Sequence, residues 1–145
     1  MRIVVAYKWT CDPEEATVRA DGTVDWSRAK PGLSAYDPVA IELARQFAEG
    51  AGAELIGVTV GGKGVGTPIA AKAALGRGLD RVVIVEDESL ADAGRSELAA
   101  VLAAVIRHIG DVDLDGLARH PGSGLRREQL GHRAFGRIGA AVVHT

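Results

Sequence analysis

Cysteine is nearly absent from this chain: Cys11 stands alone among 145 residues, so no internal disulfide can form and no cage of thiolates can hold zinc. A reducing cytoplasm is the expected setting. Aromatic residues are scarce too, two each of Trp, Tyr and Phe, which removes the interleaved aromatic platform that single-stranded nucleic-acid binders use. Long apolar runs are missing. None approaches the roughly 20 residues needed to cross a bilayer, and the N-terminus opens on Arg2 and a short apolar run, which is not the layout of a secretory leader. These absences exclude a disulfide scaffold and a membrane-inserted protein, and they lead us to expect a soluble, cytoplasmic one.

What is present fits an ordinary α/β domain. Apolar residues make up 47% and charged residues 25%, with 19 glycines, enough for one packed core at a length typical of a single domain. One domain over residues 1–145 is expected. The net charge of −2 is unevenly spread: residues 1–114 carry 12 Lys/Arg against 17 Asp/Glu, whereas 115–145 carry five Arg against Asp115 and Glu128. Because those arginines are not interleaved with aromatics, they read as a solvated surface and not as a nucleic-acid patch.

Strand and helix signals alternate along the chain. Short apolar runs at residues 2–7, 55–60 and 82–85 are what strands buried on both faces look like. Between them lie helical patterns. The first opens on Asp37 as N-cap and Pro38 at the first helical position, places Ala40, Ile41, Ala44, Phe47 and Ala48 on one stripe, and stops at Gly50. The second opens on Thr67 and Pro68 in the same roles and stops at Gly78. The third carries Leu98, Val101, Leu102, Val105, Ile106 and Ile109 at steps of three and four before Gly110. The order predicts a parallel sheet of about five strands with helices on both faces, joined by right-handed crossovers. Residues 17–26, with Asp21-Gly22 at their centre, read as an inserted β-hairpin. After Asp113 the apolar pattern fails; a helix is expected from about Ser123, and residues 140–143 read as a fifth strand.

In open sheets of this kind, ligands bind beyond the carboxyl ends of the strands, beside helix N-termini. That rim comprises Ala6 and Tyr7, residues 34–37, residues 60–66, and the loop before Ser123 and Gly124. Each position also has a plain structural reading: Asp37 is explained by helix capping and Val60 by burial in the core. The glycine-rich run GGKGVGTP at 61–68 resembles a phosphate cradle, yet it lacks the Gly-Lys-Ser/Thr order and does not follow the first strand. A strand-to-helix turn is its expected role. Cys11 has no histidine near it in sequence, the histidines match no metal-ligand spacing, and no paired carboxylates or triad order stand out. No bond-making chemistry is expected of the chain itself.

The strand RIVVAY followed by KWTCDPEEATVRADGTVDWS, the helix entry LSAYDPVAIELA and the strand exit LIGVTVGGK together resemble the electron-transfer-flavoprotein β-subunit family, in its FixA-like branch. The resemblance implies the adenine-nucleotide α-hydrolase-like fold of that subunit's domain. It implies AMP or FAD as cofactor, held at Ala6, at Ser34, Ala35, Tyr36 and Asp37, and at Val60. The family's phosphate site, a loop and a following Gln-x-Gly, falls on Ser123 and Gly124 and on Gln129. Residues 115–127 depart from the family pattern there, with Arg126 and Arg127 as substitute charge partners. The implied partner is a FixB-like α subunit carrying the electron-transferring FAD, and through the complex a dehydrogenase or a quinone oxidoreductase; the flavin, not this chain, performs the redox chemistry. No nucleic acid or membrane insertion is implied. The family's C-terminal arm is expected to be absent, since the match stops about midway along a usual member. Two alternatives stay open: a nucleotide-binding module similar to universal stress proteins, and a truncated remnant.

Overall fold

The computed structural model describes residues 1–111 and 140–144. Its centre is a four-stranded sheet in the order β1 (Arg2–Ala6), β6 (Glu54–Gly61), β7 (Arg81–Glu86) and β8 (Ala140–His144). The first three strands are parallel. β8 lies antiparallel to β7, with Val83 opposite Val143 and Ile84 opposite Val142. The sequence predicts about five parallel strands; among the described residues there are three, closed by an antiparallel fourth. An apolar run such as AAVV reads the same in either direction, so strand polarity is not visible in it, and an antiparallel edge strand on a parallel sheet is a common ending. Residues 112–139, which hold the segment that departs from the family pattern, lie outside the described residues.

Helices cover both faces. On one, α1 (Asp37–Ala51) and α2 (Pro68–Leu75) bury Ile41, Ala48, Ala71 and Ala74 against Val5, Leu55, Val82 and Ile84. On the other, α3 (Arg95–Asp111) buries Val101, Val105 and Ile109 against Ile56, Val58, Val83 and Val85. Consecutive strand residues thus point to opposite layers, and both layers are apolar, which is why β6 and β7 appear as unbroken apolar runs. Each fully buried Val, Leu or Ile contributes about 1.5–3 kcal/mol.

The helix ends follow local chemistry. Thr67 caps α2 by accepting from the Ala70 N–H at 3.3 Å, with Pro68 in the first turn. α1 ends on Gly52, whose left-handed φ of 60° suits a residue without a Cβ, two positions later than the sequence suggested. α2 stops at Leu75, short of the expected Gly78. Two predicted stripe positions of α1 are wrong: Ala40 and Phe47 are exposed. The core needs only the narrow face of Ile41, Ala44 and Ala48, because α1 lies flat on two strands.

The hairpin is present as β3 (Thr17–Val18) and β4 (Val24–Asp25), and next to it a two-stranded ribbon pairs β2 (Trp9–Cys11) with β5 (Pro31–Leu33). Neither belongs to the main sheet.

Tyr7 shows a cost within this core. Its ring is 5% exposed and lies against Gly57, while its hydroxyl has no hydrogen-bond partner among the described residues. Burial raises its pKa above the ordinary phenol value. The unfolded chain therefore releases this proton at about pH 10 while the folded one keeps it, so stability falls as pH rises beyond that point. Tyr7→Phe should stabilise the protein by about 1 kcal/mol at neutral pH and weaken the alkaline decline. Urea melts at neutral pH and at alkaline pH measure both. A less stable Phe variant would show that a buried water or a ligand satisfies the hydroxyl.

Candidate functional site

The rim at the strand ends is built around the backbone of Lys8, the second residue after β1. The Lys8 carbonyl accepts from the Ser34 N–H at 3.0 Å, and the Lys8 N–H donates to Asp37 Oδ2 at 2.6 Å. The Asp37 N–H in turn donates to the Ser34 carbonyl at 3.0 Å. The 34–37 turn is thereby fastened to the exit of the first strand. This corrects the capping role expected for Asp37: α1 begins at Asp37 itself, Tyr36 precedes it with helical φ and ψ, and no side chain caps the helix. The carboxylate is used across the chain, and it still sits favourably in the first turn of the helix dipole.

Two substitutions separate the roles. Asp37→Ala should cost about 1–2 kcal/mol, the loss of a hydrogen bond to a charged acceptor at an exposed place. Asp37→Ser, a good cap but too short to reach Lys8, should cost as much. Rescue of the urea midpoint by serine would restore the capping account.

This fastening shapes a cavity of about 240 Å³. Ala6, Tyr7 and Lys8 at the exit of β1, Val60 near the end of β6 and Asp37 at the start of α1 line it, and Leu98 and Leu102 of α3 close it. Its walls are mostly apolar, with one carboxylate and one lysine among the lining residues. Ala6 is exposed and Val60 half-buried, so both are open to a bound molecule. Of the residues expected from the sequence, Ala6, Asp37 and Val60 come together here. Ser34, Ala35 and Tyr36 line instead a neighbouring cavity of about 610 Å³, bounded by the β2–β5 ribbon with Trp26 and Lys30. The 34–37 turn is the partition between the two, and Lys8 borders both. Ser123, Gly124 and Gln129, with Arg126 and Arg127, lie outside the described residues.

The glycine-rich loop at 61–68 already holds an anion of the chain's own. Glu86 Oε2, at the end of β7, accepts from the N–H groups of Gly64 at 3.1 Å and Gly66 at 2.7 Å. Gly62 is forced by proximity: a Cβ there would sit 2.7 Å from the Cβ of Ala91 and 2.9 Å from its Cα. The turn role expected for this loop matches that geometry, since the amides that resemble a phosphate cradle are occupied. Cys11 is a free thiol whose Sγ lies 3.6 Å from the Ala29 carbonyl. Among the described residues no group of His, Cys, Asp and Glu is placed to hold a metal, and no helix is long and apolar enough to cross a membrane.

A family model, that of the electron transfer flavoprotein domain, matches residues 21–119, two thirds of the chain. The chain belongs to this family. Its members are electron carriers associated with flavin. Within the electron transfer flavoprotein domain, the matched stretch carries the 34–37 turn, Val60, the glycine loop and all of α3, whereas Ala6 and Lys8 precede it. Sequence reasoning missed Lys8, Glu86, Leu98 and Leu102 as parts of this region. Glu86 is the first of the three acidic residues, Glu86, Asp87 and Glu88, that close the apolar run VVIV, and nothing in the sequence singles it out from the other two. The spacing of four between the two leucines is equally that of a core stripe, so nothing in the sequence marks them as cavity walls. Lys8 acts through its backbone, for which no residue type signals.

Proposed function

We propose that this chain is the β-type, FixA-like subunit of an electron transfer flavoprotein. It binds the adenosine part of AMP or FAD in the 240 Å³ cavity and pairs with an α subunit that carries the electron-transferring FAD. The observation that carries this reading is the convergence of Ala6, Asp37 and Val60 on one apolar cavity beyond the carboxyl ends of parallel strands, where open α/β sheets take nucleotides.

Each lining residue has a task in that reading. Leu98, Leu102 and Val60 provide the apolar walls for a flat base, and the small side chain of Ala6 leaves room for its edge. Lys8, the cation among the lining residues, is a proposed charge partner for the phosphate, and Ser123, Gly124 and Gln129 are the proposed phosphate contacts of the remaining chain. Redox chemistry belongs to the bound flavin; the protein's part is to hold the nucleotide and dock the partner.

Mixing the full chain with an FAD-loaded α subunit and assaying the isolated complex for flavin and AMP tests this. A one-to-one complex that retains AMP or a second FAD is the expected result. Absence of any complex, together with tight ATP binding by the chain alone, would favour the stress-protein-like alternative.

A further inference from the structure

The outward face of α1 is apolar where a solvated helix should be polar. Tyr36 at the head of the helix is 84% exposed, and Val39, Leu43 and Phe47 follow at 63%, 53% and 69%. Their steps of three, four and four residues place them on one stripe, opposite Ile41 and Ala48, which are buried. Scattered exposed apolar residues need no explanation, but four large ones in a row on one helix mark an interaction surface. The neighbouring edge is open as well: β1 is the outer strand of the main sheet, with no strand on its far side among the described residues.

We propose that this stripe is the docking face for a second, different polypeptide, one that presents an apolar helix or strand flanked by basic side chains. Resting on the reading above, that polypeptide is the flavin-carrying partner subunit. Two observations bear on the occupant, one on whether it is a second copy of this chain and one on where it lies. The first is charge. α1 carries Asp37, Glu42 and Glu49 against Arg45, whose guanidinium is held by Glu42 and Glu49, and residues 1–111 carry 12 Lys/Arg against 16 Asp/Glu. Two copies meeting through α1 would set like charge against like. Arg45, paired with both glutamates, offsets one of the three carboxylates, so each copy would still bring a net negative α1 to the contact.

The second observation is extent. A stable interface buries about 800 Å² on each partner, more than four side chains of one helix supply, so the contact has to continue onto neighbouring surface. Tyr36 provides that continuation. It begins the stripe and also lines the 610 Å³ cavity beside the 34–37 turn, so a chain lying along the stripe ends at the turn that separates that cavity from the adenosine cavity. That arrangement gives a docking subunit direct contact with the turn that bounds the adenosine cavity.

The test uses the full chain and a purified, FAD-loaded α subunit. The double variant L43E/F47E should bind at least tenfold more weakly, and E49K should slow association several-fold and flatten its salt dependence. AMP affinity of the chain alone should stay unchanged, since none of the three residues lines the adenosine cavity. If wild type and L43E/F47E bind the α subunit equally, the docking face is elsewhere and the proposed function stands. If even the wild type does not bind, the proposed function fails and the inference falls with it. A faster E49K would overturn the basic character assigned to the partner. Concentration-dependent dimerisation of the chain alone, abolished by L43E/F47E, would assign the stripe to a second copy. Urea midpoints check folding, and V39K is a second probe of the stripe should the double variant be unstable.

Discussion

Ala6→Leu is expected to weaken AMP or FAD binding about a hundredfold, equivalent to about 2.7 kcal/mol, with little change in stability. Ala6 is exposed at the end of β1 and lines the 240 Å³ cavity between Val60 and Asp37. Three further carbon atoms at that point project into space the base would use, while no core neighbour is displaced. Calorimetric titration of each nucleotide into wild type and variant, with urea melts beside it, measures both quantities. Unchanged affinity in a folded Ala6→Leu protein would remove the adenosine from this cavity.

The largest effect on stability is expected at the centre of the sheet. Ile84 is fully buried on β7, in the layer shared with Tyr7, Leu55 and Val65 under α1 and α2. Ile84→Ala removes three carbons from a site held by two helices and a strand on each side, where the surroundings can close in only slightly. The expected cost is about 3–4 kcal/mol, a fall in Tm on the order of 10 °C for a chain of this size. A loss below about 1 kcal/mol would mean that this layer is packed far more loosely than the burial of its residues indicates.

The parts legible in the sequence are those governed by apolar period and by local turn chemistry. The three parallel strands, the three helices, the hairpin around Asp21-Gly22 and the Thr67-Pro68 helix start all depend on residues within a few positions of one another. What escaped is set by contacts between distant segments. The acceptor for the Lys8 N–H is Asp37, 29 residues on, and nothing local distinguishes that carboxylate from a cap. The amides of the glycine loop are taken by Glu86, 20 and 22 residues away. Phe47 fits the apolar period of α1 as well as Ala44 and Ala48 do, yet it lies on the exposed side because the helix needs only a narrow contact face. The polarity of β8 depends on the whole path of the chain before it and not on its own four apolar residues.

The candidate site divides the same way. Ala6, Asp37 and Val60 could be placed at one rim because strand ends and helix starts are predictable, and the sheet does bring them to one cavity. Ser34, Ala35 and Tyr36 were expected in the same place. They face the other side of a thin turn, toward the larger cavity of the β2–β5 ribbon, a distinction of side-chain direction that spacing alone does not carry.

The central claim is that adenosine occupies the smaller of these two cavities. Amide proton–nitrogen spectra of the full chain, recorded while AMP is added, test it most directly. The account predicts shifts concentrated at Ala6, Lys8, Asp37, Val60, Leu98 and Leu102, with Trp26 and Lys30 unmoved. Shifts centred on Trp26 and Lys30, or no shifts at all at saturating AMP, would contradict it.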